Sequence, residues 1–254
     1  MPEVSIIMPN YDCADFIGEA IESILAQTWQ DWELIIYDNS TDRSMEVIAR
    51  YAAQDARIQV YHNAQREGVA IARNKAVRMA TGNYVAFLDS DDLWYPQKLE
   101  VQMQYVHAQS IDICHSTYDV MTEEGNRIHT VVPPLVTTYE DMLKGERLST
   151  ATAVIRRSIL RDCPVLPVLE DTAMWLRLLK SGYVAHAILT SLACYRLRRE
   201  SLSSHKLYMA RAFWRLLRDQ EKINLPQRIF YFTCYGMTML KKYAHILPDI
   251  FRWR

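Results

Sequence analysis

Val85-Ala86-Phe87-Leu88-Asp89-Ser90-Asp91-Asp92 runs an apolar stretch straight into a cluster of acids. The apolar run is short and bounded, which is the pattern of a buried strand. Asp89, Ser90 and Asp91 then stand where that strand ends. Hard carboxylate oxygens suit Mg²⁺ or Mn²⁺. In an open α/β sheet, ligands bind in the crevice beyond the carboxyl ends of the strands. The stretch therefore points to a divalent-metal, phosphate-handling site. The competing reading is a solvated acidic turn, with Asp92 near a helix start.

Upstream, residues 4–8 read as a first strand, ended by Pro9-Asn10-Tyr11-Asp12. Asp15 is placed to cap a helix whose apolar positions are Phe16, Ala20, Ile21, Ile24 and Leu25. A second strand over 32–37 leads into Asp38-Asn39-Ser40-Thr41-Asp42, where Thr41 or Asp42 can cap the next helix. A third strand covers 58–61; Gly68 opens a helix and Gly82 stops it. This alternation argues for a largely parallel sheet with right-handed crossovers.

After Pro96 the pattern loosens. It predicts a helix over 98–109, strands over 111–121 and 127–132 joined at Glu124-Gly125-Asn126, and a short helix over 139–144. A strand over 151–155, a helical stretch over 158–161 and a loop at Pro164 and Pro167 follow. Glu170-Asp171 opens a helix with Met174, Trp175, Leu178 and Leu179 on its apolar face, and the last strand covers 185–195. Residues 207–254 carry nine Lys/Arg against three Asp/Glu, interleaved with apolar and aromatic side chains. Such basic amphipathic helices lie at membrane surfaces or pack on the main body. The division is thus 1–205 for the main domain and 206–254 for a basic helical appendage.

The chain has 254 residues, half of them hydrophobic, and a formal net charge of −1. There is no basic excess for phosphate contacts along a nucleic acid, so that partner is excluded. The five cysteines form no CxxC pair and fit reduced thiols in a cytosolic protein. The first residues, Met1-Pro2-Glu3-Val4-Ser5, do not resemble a signal peptide. No run approaches the ~18 apolar residues of a spanning helix. GxGxxG and GxxxxGK[ST] are both absent, which argues against a dinucleotide or P-loop cradle.

VSIIMPNY, SILAQTW, WELIIYDNSTD, GVAIARN, GNYVAFLDSDDLWYP and LEDTAMWLRLLKSGY, in that order over roughly residues 4–205, together resemble the family-2 inverting glycosyltransferases of GT-A fold. The resemblance implies an α/β domain with a Rossmann-like, mostly parallel sheet flanked by helices. It also implies metal-dependent transfer of a hexose or N-acetylhexosamine from a nucleotide sugar, commonly a UDP-sugar. The acceptor would be a glycan or a polyprenyl-diphosphate-linked glycan at the cytoplasmic face of the membrane. The DXD motif falls on Asp89-Ser90-Asp91, with Asp91 the direct ligand of Mn²⁺ or Mg²⁺ and Asp89 reaching the ribose or the metal shell. Asp171 matches the base that accepts the acceptor's proton, although acids at a helix start also serve as caps.

By the same resemblance, Tyr11 stacks on the base, and Pro9 and Asn10 shape its turn. Gly68, Arg73, Asp89 and Ser90 border the nucleotide. This chain reads Asp38-Asn39-Ser40-Thr41-Asp42 where the family commonly has Asp-Asp-Gly-Ser-Thr-Asp, so either Asp38 or Asn39 contacts the base. Arg73 has a surface salt bridge as its alternative. Tyr195-Arg196-Leu197-Arg198-Arg199-Glu200-Ser201 resembles a Tyr-Arg-x-His-x-x-Ser segment, with Arg198 in place of His, a diphosphate contact rather than a metal ligand. His205 reads as an exposed histidine ahead of a metal or phosphate contact, and Trp94, Met174 and Trp175 as core ahead of a border to the sugar. A nucleotidyltransferase and a non-catalytic membrane-associated scaffold of the same build remain the other two classes. The first lacks its usual Gly-rich loop at Pro9-Asn10-Tyr11-Asp12, and the second does not need Asp91 or Asp171.

Overall fold

The computed structural model describes residues 1–145, 147–198 and 206–244. The first half alternates as its hydrophobic pattern predicts: β1 (Val4–Asn10), α1 (Ile17–Leu25), β2 (Trp32–Asp38), α2 (Ser44–Ala52), β3 (Ile58–His62), α3 (Val69–Met79) and β4 (Tyr84–Phe87). These strands lie in the order β3-β2-β1-β4, all parallel. The chain builds outward from β1 on one side and returns to its other side with β4. Sheets of this kind form their ligand crevice at such a reversal. β1 stays paired with β2 out to Asn10 and Asp38, but its pairing with β4 ends at Ile7 and Phe87. The acids after Leu88 are therefore free of the ladder.

The second half comprises β5 (Leu93–Trp94), α4 (Lys98–Gln109), β6 (Ile113–Met121), β7 (Arg127–Val131), β8 (Val136–Thr137), α5 (Tyr139–Leu143), β9 (Val154–Arg156), α6 (Glu170–Lys180) and β10 (Ala185–Arg196). β9 runs antiparallel between β4 and β6, and β10 runs parallel to β6. β6 and β7 form the expected hairpin, turned by Gly125 at φ +87°. The result is a mixed, mostly parallel sheet.

Alternate residues of each strand face opposite sides. Ile6, Leu34 and Ala86 join Ile21, Ile48, Leu99 and Met103 in one core. Ile7, Ile35, Val85 and Phe87 join Ala76, Trp175 and Leu178 in the other. The second core extends into α7 (Lys206–Arg215), a π-turn (Leu216–Gln220) and α8 (Leu225–Ala244), through Phe213, Leu216, Leu217 and Tyr235. Burying a side chain such as Phe213 stabilises by roughly 1.5–3 kcal/mol. Glu221 adds polar ties, accepting from Lys180 Nζ at 2.8 Å and Tyr139 Oη at 2.6 Å. Pro226 lies in the first turn of α8, where its missing N–H costs nothing.

Three local expectations need correction. Asp15 does not cap α1: the N-cap position is Phe16, without a side-chain bond, and the N–H groups of Phe16 and Ile17 both turn back to the Cys13 carbonyl. Residues 151–155 are not one strand. A 3₁₀ turn (Thr150–Thr152) precedes a three-residue β9, because Trp94 Nε1 takes the Ala151 carbonyl at 2.8 Å and Thr152 N–H takes the Ser149 carbonyl. Gly82 is required by close approach, not by helix ending. A Cβ there would lie 2.8 Å from Ser5 N and 2.9 Å from the Glu3 carbonyl oxygen.

Lys98, at the start of α4, is wholly enclosed. Its ammonium lies 4.0 Å from the Trp94 ring centroid and donates to Gln102 Oε1 at 2.6 Å. Burial pulls its pKa down to about 7. An unfolded lysine titrates near 10.4. Between those two values the unfolded chain binds the extra proton, so stability rises with pH across that window. Lys98→Met should raise the melting temperature at pH 7 by about 2 °C or more. The advantage should shrink toward pH 10 in paired thermal melts.

Candidate active site

The acidic turn after β4 is pinned from across the sheet. Arg196, the buried last residue of β10, gives Nε to the Asp91 carbonyl oxygen at 2.8 Å and Nη1 to that of Glu123 at 2.7 Å. Its Nη2 reaches Glu19 Oε2 at 2.6 Å, and its backbone N–H donates to Asp92 Oδ1 at 2.9 Å. Asp92 is thus buried support rather than a helix cap. Burial first, then the charges of Asp91 and Asp89, push its carboxyl well above the ordinary range.

Asp89 and Asp91 are the acids this turn presents. The Asp89 side chain is 41% exposed. Asp91 is half-buried; burial, and next the charge of Asp89, raise its pKa, while Arg198 Nη1 at 3.5 Å from Oδ2 opposes the shift. A cavity of about 300 Å³ opens beside Arg198, lined by Asp12, Cys13, Asp15, Phe16, Asp42 and Arg43. Ser90 is buried at the centre of the turn. Among the described residues no cluster of three or more His, Cys, Asp or Glu is arranged to hold a metal, so the turn offers a carboxylate pair.

Arg73 of α3 connects this pair to α6. Its side chain is 3% exposed, with Nη1 3.0 Å from Glu170 Oε1 and Nη2 3.3 Å from Asp89 Oδ1. Burial works against its charge, but Asp89 and Glu170 outweigh it and hold the guanidinium firmly protonated. Burial, and then neighbouring Asp171, raise the Glu170 carboxyl against the pull of Arg73. Buried Leu169 enters α6 with a left-handed backbone, φ +62°, which costs roughly 1–2 kcal/mol and is characteristic of functional sites. Asp171 follows, half-buried, its Oδ1 accepting from Thr172 N at 2.6 Å and its Oδ2 from Thr150 Oγ1 at 3.3 Å.

The first two strand ends form a separate station. Asp38 is buried, its Oδ1 accepting from Asn10 Nδ2 and Ser40 Oγ, both at 2.6 Å, and its Oδ2 lying 2.7 Å from His62 Nδ1. Asn39 donates to the Asn63 carbonyl at 2.8 Å. Asn10 Oδ1 is a buried acceptor with no partner among the described residues. Pro9 sits in β1 opposite Tyr37. Tyr11 is exposed at the rim, with the Arg66 guanidinium 4.3 Å from its ring centroid. Gly68 precedes α3 at φ +86°, a backbone that favours glycine.

The structure therefore gathers Asn10, Asp38 and Asn39 at one station and Asp89, Arg73, Glu170 and Asp171 at another. Asp91 and Arg198 stand together beside the second. Arg73 sits buried between two acids, Asp89 and Glu170. Trp94, Met174 and Trp175 are core, as expected. Arg199, Glu200, Ser201 and His205 lie outside the described residues. Sequence reasoning missed Arg196, although it lies in the quoted Tyr-Arg segment, and Thr150, for which only the need of a buried indole N–H for an acceptor gave a signal.

The model of the family described as "Glycosyl transferase family 2" matches residues 5–163. The chain belongs to glycosyl transferase family 2. This glycosyltransferase is 36% identical over 245 residues to TuaG of Bacillus subtilis (strain 168), named for teichuronic acid biosynthesis, covering 95% of this chain and 97% of TuaG. It is 34% identical to WfgD of Escherichia coli, a UDP-Glc:alpha-D-GlcNAc-diphosphoundecaprenol beta-1,3-glucosyltransferase, with 95% of each chain covered. Among solved structures, Staphylococcus aureus TarS 1–349 with UDP-GlcNAc superposes with TM-score 0.70 at 20% identity, over 86% of this chain and 65% of that one. The mannosyltransferase PcManGT of Pyrobaculum calidifontis, solved with GDP-Man and Mn²⁺, gives TM-score 0.69 at 18% identity, over 92% and 68%. The enzyme has the GT-A fold.

Removing the guanidinium of Arg73 leaves Glu170 and Asp89 facing each other uncompensated. Arg73→Met should destabilise the enzyme by ~3–5 kcal/mol. Arg73→Lys, a single donor head in place of a fork, should recover only part of that loss. Urea unfolding of the three proteins measures both.

Proposed function

We propose that this enzyme transfers a hexose or N-acetylhexosamine from a UDP-sugar, with inversion and with the aid of Mn²⁺ or Mg²⁺, to a glycan or polyprenyl-diphosphate-linked acceptor in surface polysaccharide synthesis. The observation that carries this reading is the continuity of Asp89, Arg73, Glu170 and Asp171, which sets one strand-end acid and two helix-start acids around one guanidinium. The 34% identity with WfgD supports a UDP-sugar donor and a lipid-diphosphate acceptor.

The Asp89–Asp91 pair fits a divalent cation. Burial and the charge of Asp89 raise the proton affinity of Asp91, which positive charge relieves, and Mg²⁺-like ions bind through one or two carboxylates plus substrate phosphates. A bound ion supplies charge against the departing diphosphate. Arg198 contributes a fixed positive charge on the same side. At the nucleoside end, Asn10 Oδ1, without a partner among the described residues, accepts from the base, and Tyr11 offers an exposed ring for stacking. Asp171 accepts the proton of the acceptor hydroxyl as it attacks from the face opposite the diphosphate.

Incubation with UDP-glucose, Mn²⁺ and a GlcNAc-diphosphate lipid should release UDP and give an inverted glycoside. Asp171→Asn should lower kcat by about 10²–10⁴-fold. Release of pyrophosphate, or full turnover by folded Asp171→Asn, overturns the reading.

The same proposal assigns residues 206–254 to docking at the inner membrane face. No helix of the described residues is long and apolar enough to cross a membrane. One side of α8, however, leaves Leu225, Ile229, Phe230, Met237 and Leu240 more than half exposed, at spacings that share a helix face. Exposed Arg211, Arg215, Arg218 and Lys222 lie nearby in the chain. Flotation with anionic vesicles should carry the enzyme, and Ile229→Glu/Phe230→Glu should abolish it without changing turnover on a water-soluble acceptor.

A further inference from the structure

Thr150 lies in the 3₁₀ turn before β9, buried, with its hydroxyl between two side chains of α6. Trp175 Nε1 lies 3.0 Å from Thr150 Oγ1, and Thr150 Oγ1 lies 3.3 Å from Asp171 Oδ2. An indole N–H only donates, and a hydroxyl carries a single proton. Trp175 must therefore give its proton to Thr150 Oγ1, which leaves the Thr150 proton to point at Asp171. The direction of the chain Trp175→Thr150→Asp171 is fixed by chemistry alone.

The other carboxylate oxygen of Asp171 is already held by the Thr172 N–H at 2.6 Å. That oxygen also takes the Thr172 hydroxyl at 3.4 Å, so the plane of the carboxylate is set and Oδ2 is the oxygen that keeps a lone pair for an incoming hydroxyl. The turn that presents Thr150 is itself held from two sides. Trp94 Nε1 takes the Ala151 carbonyl at 2.8 Å, and Gln102 Nε2 takes the Thr152 carbonyl at 2.9 Å. Trp175 meets Phe87 edge-on, ring centroids 6.4 Å apart. Phe87 precedes Asp89 by two residues and Trp94 follows Asp92 by two. The supports of the base thus grow out of the strand and turn that carry the acid pair.

We infer that Thr150 is a positioning residue for Asp171, orienting the carboxylate toward the acceptor hydroxyl through a hydrogen bond whose polarity Trp175 imposes. The inference rests on the reading of Asp171 as the base. A displacement of a reacting group by about 1 Å can cost on the order of 10²-fold in rate. The effect therefore belongs in kcat and not in donor binding.

Steady-state kinetics of the full chain with the UDP-sugar donor and Mn²⁺ test it. Thr150→Val, which keeps shape and removes the hydroxyl, should lower kcat by about 10–100-fold while donor KM stays within about threefold. Thr150→Ser, which restores the hydroxyl, should recover kcat to within about threefold of the parent. Trp175→Phe, which keeps a ring and removes the N–H, should lose less than Thr150→Val. Wild-type kcat in folded Thr150→Val, or equal losses in Thr150→Val and Thr150→Ser, overturns the positioning role. If Thr150→Val does not fold, wild-type kcat in Trp175→Phe overturns it. Asp171→Asn separates the two readings: an active Asp171→Asn removes the base itself, whereas an inactive one beside an unimpaired Thr150→Val removes only the role of Thr150.

Discussion

Arg73 is the charge on which the acid station depends. Its carboxylate partners come from 16 and 97 residues further along the chain, one from the end of a strand and one from the start of a helix. Both are drawn to a guanidinium that is almost wholly out of water. A lysine there offers one compact head, whereas arginine offers donors fixed on two sides of a plane. That geometry lets one buried side chain face Asp89 and Glu170 at once. Carboxylates this close repel each other and lose hydration, and the intervening cation is what keeps the arrangement from costing the fold more than it can bear.

The backbone prepares the same place. β1 is the strand about which the sheet order reverses, and it loses β4 as a partner two residues before Asp89. The crevice is thus a consequence of topology, and rigid elements furnish its walls. Arg196 anchors the acidic turn to the end of β10, Trp94 anchors the turn before β9, and Trp175 ties that turn to α6. Each anchor is a long side chain whose apolar body belongs to the core and whose polar tip holds a backbone or hydroxyl oxygen. Rigid supports of this kind can hold carboxylates near one another in a geometry that mobile loops would relax.

Much of this was legible in the sequence, and the limits are physical. The strand into Asp89, the helix opening at Glu170 and the hairpin at Gly125 are local patterns of period and turn chemistry, and the structure has all three. Residues 151–155 resemble a strand because they are β-branched and small, while the indole that bends them lies 57 residues away. Asp15 looked like a cap because an acid before an apolar helix usually is one, yet the tight turn onto Cys13 satisfied those N–H groups first. Arg73 was named from the family pattern, but its pairing needed three-dimensional neighbours. Lys98 gave no warning at all, since a lysine at a helix start ordinarily points to water.

Three features that sequence rules disfavour lie beside these acids. Asp92 is buried with one carboxylate oxygen lacking any partner among the described residues, Leu169 holds a positive φ, and Asp91 is pressed toward protonation by burial and by Asp89. Each opposes folding, and each sits within a few residues of Asp89, Asp91 or Asp171. A stability-optimised sheet end would replace them with a capped turn and a glycine. On the proposed reading they share one reason: the acids must be held close and incompletely neutralised so that a divalent cation bound with the donor's diphosphate would complete them. The unsatisfied charge at the crevice is then part of donor recognition, and the well-packed cores on both faces of the sheet supply the stability that tolerates it.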